Sequence, residues 1–326
     1  MRFTKLLLLL GLLALTGESF ASPMTSCKNP PERKEWTITH ETQRRQLNRT
    51  ERLDYLPAVR CLASKPDVTG QFALWHRYFT ATYERYLKEQ CGYKGAQPYW
   101  DWSIDASSTD HSSMAVFNAD LLDSNFRFGG FGPYVNVFLD ESPFNLIGRM
   151  GGGCVQDGRF REGQFFLNVK QRKGKSDCLR RDFIPWIMNY FGCYSLVEHV
   201  LSQPDYTTFA RALKNIPNFS QPNIHGSGHF GIGGVLGTLA NSALSPGDPL
   251  FYLHNCNLDR VFWEWQSNDI HRRLHQVGGP VVPLDYNGAN VTLDFEINFG
   301  KLALNATLKK LLNPQDEVLC YVYHGL

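Results

Sequence analysis

The chain has 326 residues, 43% hydrophobic and 13% aromatic, with 33 Lys and Arg against 31 Asp and Glu for a net charge of +2. With no basic cluster interleaved with aromatics, it lacks the electrostatic footprint of a nucleic-acid binder, so the expected partner is small or neutral. The length suits one large domain or two, and because no linker, repeat or low-complexity tract divides it, a single domain over residues 22–326 is expected.

Residues 1–21 read as a signal peptide. Arg2 and Lys5 precede the apolar run LLLLLGLLAL (6–15), and Ser19-Phe20-Ala21 supplies the small residues of a cleavage site. The mature protein is then secreted and starts at Ser22. The run is too short to span a bilayer, and no later segment approaches the ~20 apolar residues of a membrane helix, so no membrane partner is expected. The eight cysteines, at 27, 61, 91, 154, 178, 193, 256 and 320, all lie beyond this segment. In an oxidising compartment such an even set is expected to be paired, and without a CxxC a thiolate metal site is disfavoured. Asn-x-Ser/Thr sequons at Asn48, Asn218, Asn290 and Asn305 fit a secreted glycoprotein.

The first clear helix lies in QFALWHRYFTATYERYL (71–87), where Phe72, Trp75, Phe79, Tyr83 and Leu87 recur at three- and four-residue steps. His76 sits beside that stripe, and Arg77, Glu84 and Arg85 are placed to reach water. Residues 126–175 are rich in Gly and Phe without helical period and read as long loops with short strands. A second helix starts within SPGDPLFYLHNCNLDRVFWEWQ (245–266), with Asp248 as N-cap and Pro249 as first helical residue. His254, Leu258, Phe262 and Trp265 follow one of its faces. The tail, 281–323, mixes β-like runs such as NVTLDF with a helix near Leu304 to Leu312. The fold class is mainly α with a loop-rich remainder.

Among the histidines, His225 and His229 in HGSGHFGIGG lie four apart, on one helix face, and imidazole suits zinc, copper, iron and nickel. A zinc-protease motif would need Glu where Gly226 stands. His254 is a third candidate, brought in if two helices meet face to face; the alternative is a buried helix residue satisfied by a carbonyl. His271 and His275 are a second pair, but charged neighbours and the Gly278-Gly279 terminus mark a solvated helix end. His40, His111, His199 and His324 have no partner at ligand spacing.

The motifs LWHRYFTATYERYL, QPYWDW, CLRRD, HGSGHFGIGG and DPLFYLHNCNLDRVFWEWQ, in that order from about Cys27 to Tyr323, resemble the short fungal tyrosinase and catechol oxidase family of type-3 copper enzymes. The resemblance implies a four-helix bundle core with long loops and short strands, holding two copper ions bound by three histidines each. It implies oxidation of small phenolic substrates, o-diphenols or o-aminophenols, to quinones with O2. By that resemblance His225, His229 and His254 match the ligands of the second copper (CuB), and His76 matches the third ligand of the first (CuA). Asp259 and Arg260 match a supporting pair behind the histidine helix. Arg33 and Tyr321-Val322-Tyr323 resemble motifs at the two ends of the family's core. Hydroxylating members carry Asn after the first CuB histidine and a nearby Glu. Here Gly226 takes that position and no Glu lies between Leu201 and His225, which favours diphenol oxidation over hydroxylation.

One departure is large. CLASKPDVTGQFALWHRYF passes in a few residues across the stretch that carries the family's first two CuA histidines, and no histidine lies between His40 and His76. Two ligands and part of one bundle helix, about 20–35 residues by the length of a helix and its loops, are therefore expected to be absent. The stripe around Phe72 and Phe79 should lose apolar cover unless neighbouring chain refills it. The CuB site is then intact and the CuA site incomplete. The alternative function is a non-catalytic or single-copper secreted protein on the same scaffold.

Overall fold

The computed structural model describes residues 27, 29–35, 54, 55, 59, 72–106, 128–137, 147–167, 177–215, 221–282, 285, 287–300 and 302–326. The signal peptide, the sequons at Asn48 and Asn218, the CLASKP stretch, His40 and His111 lie outside them. Asn290 and Asn305 are exposed.

Helix α1 (Phe72–Cys91) forms where the periodic apolar stripe predicts it, burying Trp75, Phe79, Tyr83 and Leu87. Arg77 and Glu84 are buried as well, contrary to the expectation that they reach water. Each has found a counter-charge in the interior: Arg77 bonds Asp259, and Glu84 bonds Arg33 at 2.9 Å. Ion pairing thus lets a second face of the helix turn inward. The short α2 (Trp102–Asp105) is capped by Asp101 through the Ser103 N–H; residues 128–137 and 147–167 are loops with isolated bridges, and α3 (Pro185–Phe191) and α4 (Tyr194–Leu201) follow.

Helix α5 (Tyr206–Lys214) opens with a capping box between Asp205 and Thr208 and closes on Asn215 in the left-handed conformation, φ 50°. Helix α6 (Ile224–Gly233) is capped by the Asn223 side chain, which accepts the Gly226 N–H at 2.8 Å. Helix α7 (Leu250–Ser267) is the central element, burying Phe251, Leu253, His254, Val261, Phe262 and Trp265 against α1, α5 and α6. It starts one residue later than expected, with Pro249 as its cap residue. Asp248 is drawn into a two-point pair with Arg181, at 2.8 and 2.9 Å, while its Oδ1 still accepts the Leu250 N–H at 3.0 Å. The short α8 (Ile270–Arg273) follows.

The tail corrects two expectations. NVTLDF forms no strand; the strands are β2 (Glu296–Ile297) and β3 (Ala306–Thr307), paired antiparallel. The helix expected near Leu304 to Leu312 shrinks to one 3-10 turn, Leu308–Leu311, because pairing of Ala306 and Thr307 holds the preceding chain extended and Pro314 follows closely. This tail also covers part of the α1 stripe. Phe299 stacks on Trp75 at 5.3 Å and lies 6.5 Å from Phe79, which is only 7% exposed.

The two ends of the described chain are joined. β1 (Glu32–Arg33) pairs in parallel with β4 (Val322–Tyr323), and Cys27 is disulfide-bonded to Cys320. Cys154 pairs with Cys178, and Cys91 is also disulfide-bonded. Cys193 and Cys256 are free, contrary to the expectation of full pairing. Cys256 is sealed inside α7, where burial pushes its thiol up to about 12. No helix among the described residues is long and apolar enough to cross a membrane.

Candidate metal centre

One turn of α6 places His225 and His229 on the same face, their ring centroids 4.6 Å apart. Helix α7 crosses close by and adds His254, 5.9 Å from His225 and 5.1 Å from His229. One nitrogen from each ring lies within 4.8 Å of the other two, the geometry of a shared ion. The approach depends on Gly228. A β-carbon there would fall 2.4 Å from His254 Nδ1, so any side chain would push the helices apart.

Two of the rings are oriented at Nδ1. His229 Nδ1 lies 2.7 Å from the Leu239 carbonyl, and His254 Nδ1 lies 2.9 Å from the indole Nε1 of Trp102 in α2. His254 Nε2 is left fully buried with no hydrogen-bond partner. Burial holds all three imidazoles neutral, pushing His225 and His254 well below their ordinary value and His229 below it, with mutual repulsion adding to the effect at His225 and His254. Three neutral imidazoles, with an orphaned buried nitrogen among them, fit a borderline transition-metal ion.

His76 stands next to this group without joining it. Its Nδ1 lies 2.7 Å from the Phe72 carbonyl in its own helix, and burial pushes it down to about 3. The Phe72 ring lies 4.5 Å from His76 on one side and 4.5 Å, edge-on, from His225 on the other. Lys214, at the end of α5, sets its Nζ 4.2 Å from the Phe72 centroid. Beneath these residues a cavity of about 10 Å³, lined by Phe72, Ala73, His76, Leu213 and Asn255, has room for about one water.

Asp259 and Arg260, adjacent in sequence, diverge. Asp259 accepts from Arg77, Arg33, Tyr321 and Tyr323 inside the core. The Arg33 guanidinium also stacks 3.4 Å over Tyr321. Arg260 bonds Asn257 at 2.7 Å and Glu264 at 3.1 Å, and lies 3.6 Å from Asp101 beside α2. Together they fix α7, and through it His254, from two sides. Gly226 is buried, and a β-carbon there would meet the Phe191 ring at 3.0 Å. His271, His275 and His199 are exposed, and His324 pairs with Glu32 at 2.6 Å. Trp102, Leu239, Gly228 and Lys214 were not singled out from sequence, and Phe72 was read only as part of the apolar stripe. Trp102 and Gly228 lie inside the QPYWDW and HGSGHFGIGG motifs; Leu239 and Lys214 act through contacts between separate segments.

Known proteins resemble this chain in sequence and fold. Residues 32–268 match the family described as the common central domain of tyrosinase. The tyrosinase-like protein phomQ1 of Diaporthe leptostromiformis is 28% identical over 349 aligned positions, covering 94% of this chain and 81% of that protein. Tyrosinase ustQ of Aspergillus flavus is 29% identical, covering 95% and 84%. Among solved structures, a variant of polyphenol oxidase from Thermothelomyces thermophila superposes with a TM-score of 0.74 at 26% identity, covering 92% and 90%. A functional unit of octopus hemocyanin shares the fold, with a TM-score of 0.50 at 18% identity over 90% of this chain and 68% of that one.

Proposed function

Since this chain belongs to the tyrosinase family, we propose that it is a secreted copper oxidoreductase that converts o-diphenols or o-aminophenols to quinones with dioxygen, centred on His225, His229 and His254. The observation that carries this reading is the convergence of three neutral imidazoles with ligand atoms within 4.8 Å, one of them orphaned and buried. Two diphenols release two electrons and two protons each as one dioxygen becomes two waters. Copper, when bound, supplies the one-electron redox steps and the place where dioxygen is reduced.

The chain's own residues supply the rest. The Leu239 carbonyl fixes the His229 ring by accepting at its Nδ1, as outer partners of metal-binding histidines do, and the Trp102 indole fixes the His254 ring by donating to its Nδ1. Burial favours the neutral form of all three imidazoles, so each ring has one nitrogen free of a proton to offer a metal. Gly226 offers no side chain to position a water against a phenol, which supports oxidation of diphenols over hydroxylation of monophenols.

A second reading, a single-copper protein on the same scaffold, is favoured by one part of the site. His76 has no histidine partners from the preceding chain back to His40, and Phe72 lies between it and His225. The test is copper content per chain, with turnover of 4-methylcatechol, for this chain and for one carrying a relative's segment between Lys65 and Ala73. One copper and less than about one-tenth of the turnover of the restored chain is the expected result. Two coppers and equal turnover would overturn the incomplete first site; no copper would overturn the whole reading.

A further inference from the structure

Three arginines sealed into the described core have carboxylate partners: Arg33 has Glu84, Arg77 has Asp259 and Arg181 has Asp248; Arg273 instead donates to the Trp265 and Gln203 carbonyls. Lys214 differs. It is half-buried beside the metal centre and has no acidic partner among the described residues; its Nζ rests on the face of Phe72. The charge is felt at the centre, since Lys214 contributes to holding His76, His225 and His229 below their ordinary protonation range. Burial lowers the lysine's own pKa from its ordinary value.

A cation beside a site that collects metal cations is electrostatically incomplete. Its field opposes the metal, and its partial desolvation is offset only by an aromatic face. An anion held by Lys214 would relieve both costs. The geometry restricts where that anion can come from. One ring, Phe72, separates Nζ from the His225 imidazole. A substrate ring with a carboxylate at one end and hydroxyls at the other spans a comparable distance.

Resting on the reading above, we propose that Lys214 is a specificity-determining residue that binds the carboxylate of an aromatic substrate, so the preferred substrates are o-diphenols or o-aminophenols that carry a ring carboxylate. Lys214 supplies a charge-assisted hydrogen bond to the carboxylate at the end of the substrate away from the histidines.

The test compares the copper-loaded wild-type chain with Lys214→Met and Lys214→Arg, using benzoate as a probe that cannot be oxidised. Calorimetry should show benzoate binding weakened about tenfold or more in Lys214→Met and largely kept in Lys214→Arg, as expected for loss of a bond to a charged group. The preference in kcat/KM for 3,4-dihydroxybenzoate over 4-methylcatechol should fall by a similar factor in Lys214→Met, mainly through KM. Copper content and circular dichroism report whether each variant is folded and loaded. Benzoate binding and substrate preference that are indifferent to both substitutions would overturn the proposal while leaving diphenol oxidation standing. Lys214-dependent benzoate binding in a protein that oxidises neither diphenol would support the anion site and overturn the oxidase reading.

Discussion

The backbone of Gly228 touches the imidazole of His254: the position a β-carbon would take lies 2.4 Å from Nδ1 and 2.6 Å from Cγ. Two successive helices therefore share one metal centre because a residue between two ligands has no side chain. Gly228→Ala should displace His254 and lower copper affinity roughly 10- to 100-fold, with helicity by circular dichroism largely kept. Competition titration of copper measures this, and an unchanged affinity would mean that α6 and α7 can separate without loss of the centre.

Trp102 tests the same imidazole from its other side. Trp102→Phe keeps a buried ring and removes the N–H that lies 2.9 Å from His254 Nδ1. Because that N–H donates to Nδ1 and so keeps the neutral ring's proton on Nε2, its loss should slow copper dissociation while apo-protein stability falls by only about 1 kcal/mol, the net worth of one hydrogen bond. Stopped-flow chelation and urea unfolding together separate the two effects.

The neutral histidines make the metal-free protein sensitive to acid. His76 titrates near 6.5 when unfolded and near 3 in the fold, chiefly because burial disfavours its charged form. Between those values the unfolded chain binds a proton that the folded chain refuses, so this stability is present above about pH 6.5 and lost as pH falls toward 3. Each such group contributes a slope of about 1.4 kcal/mol per pH unit. In His76→Gln the fall in stability between pH 6 and pH 4 should be shallower by about that slope, as read from urea midpoints of metal-free protein. Parallel curves would place His76 in solvent.

Asp259 is the counter-charge for both Arg33 and Arg77, and it also takes the hydroxyls of Tyr321 and Tyr323. Asp259→Asn leaves buried guanidinium charge uncompensated and should cost about 3–5 kcal/mol. Because Arg33 and Tyr323 pair in the β1–β4 ladder, the loss should appear first as faster hydrogen exchange at residues 32–33 and 322–323. Exchange that speeds up uniformly across the chain would show that the network does not hold the termini in particular.

Some of this was legible before any coordinates. The stripe in residues 71–87 predicts α1, and the four-residue spacing of His225 and His229 predicts that they share a face. Both are local periodicities, which a helix converts directly into direction. The motif order likewise located His254. What remained hidden depends on partners remote in sequence. Arg77 and Glu84 look solvent-facing until Asp259 and Arg33 arrive to neutralise them. The short β2–β3 pair near the tail, mistaken for a longer strand and a helix, is set by chain that folds back over α1.

The sequence by itself determined the family, the three candidate ligands on α6 and α7, and the absence of histidine between His40 and His76. These are properties of order and spacing, which no packing can alter. Only the tertiary structure decided that Trp102 and Leu239 hold the ligand rings, that Phe72 lies between His76 and His225, and that Lys214 brings a charge without an acidic partner among the described residues to that place. Each of those relationships joins segments that a linear code leaves unconnected, and each is settled by which side chains can share a buried volume while keeping their polar atoms and charges satisfied.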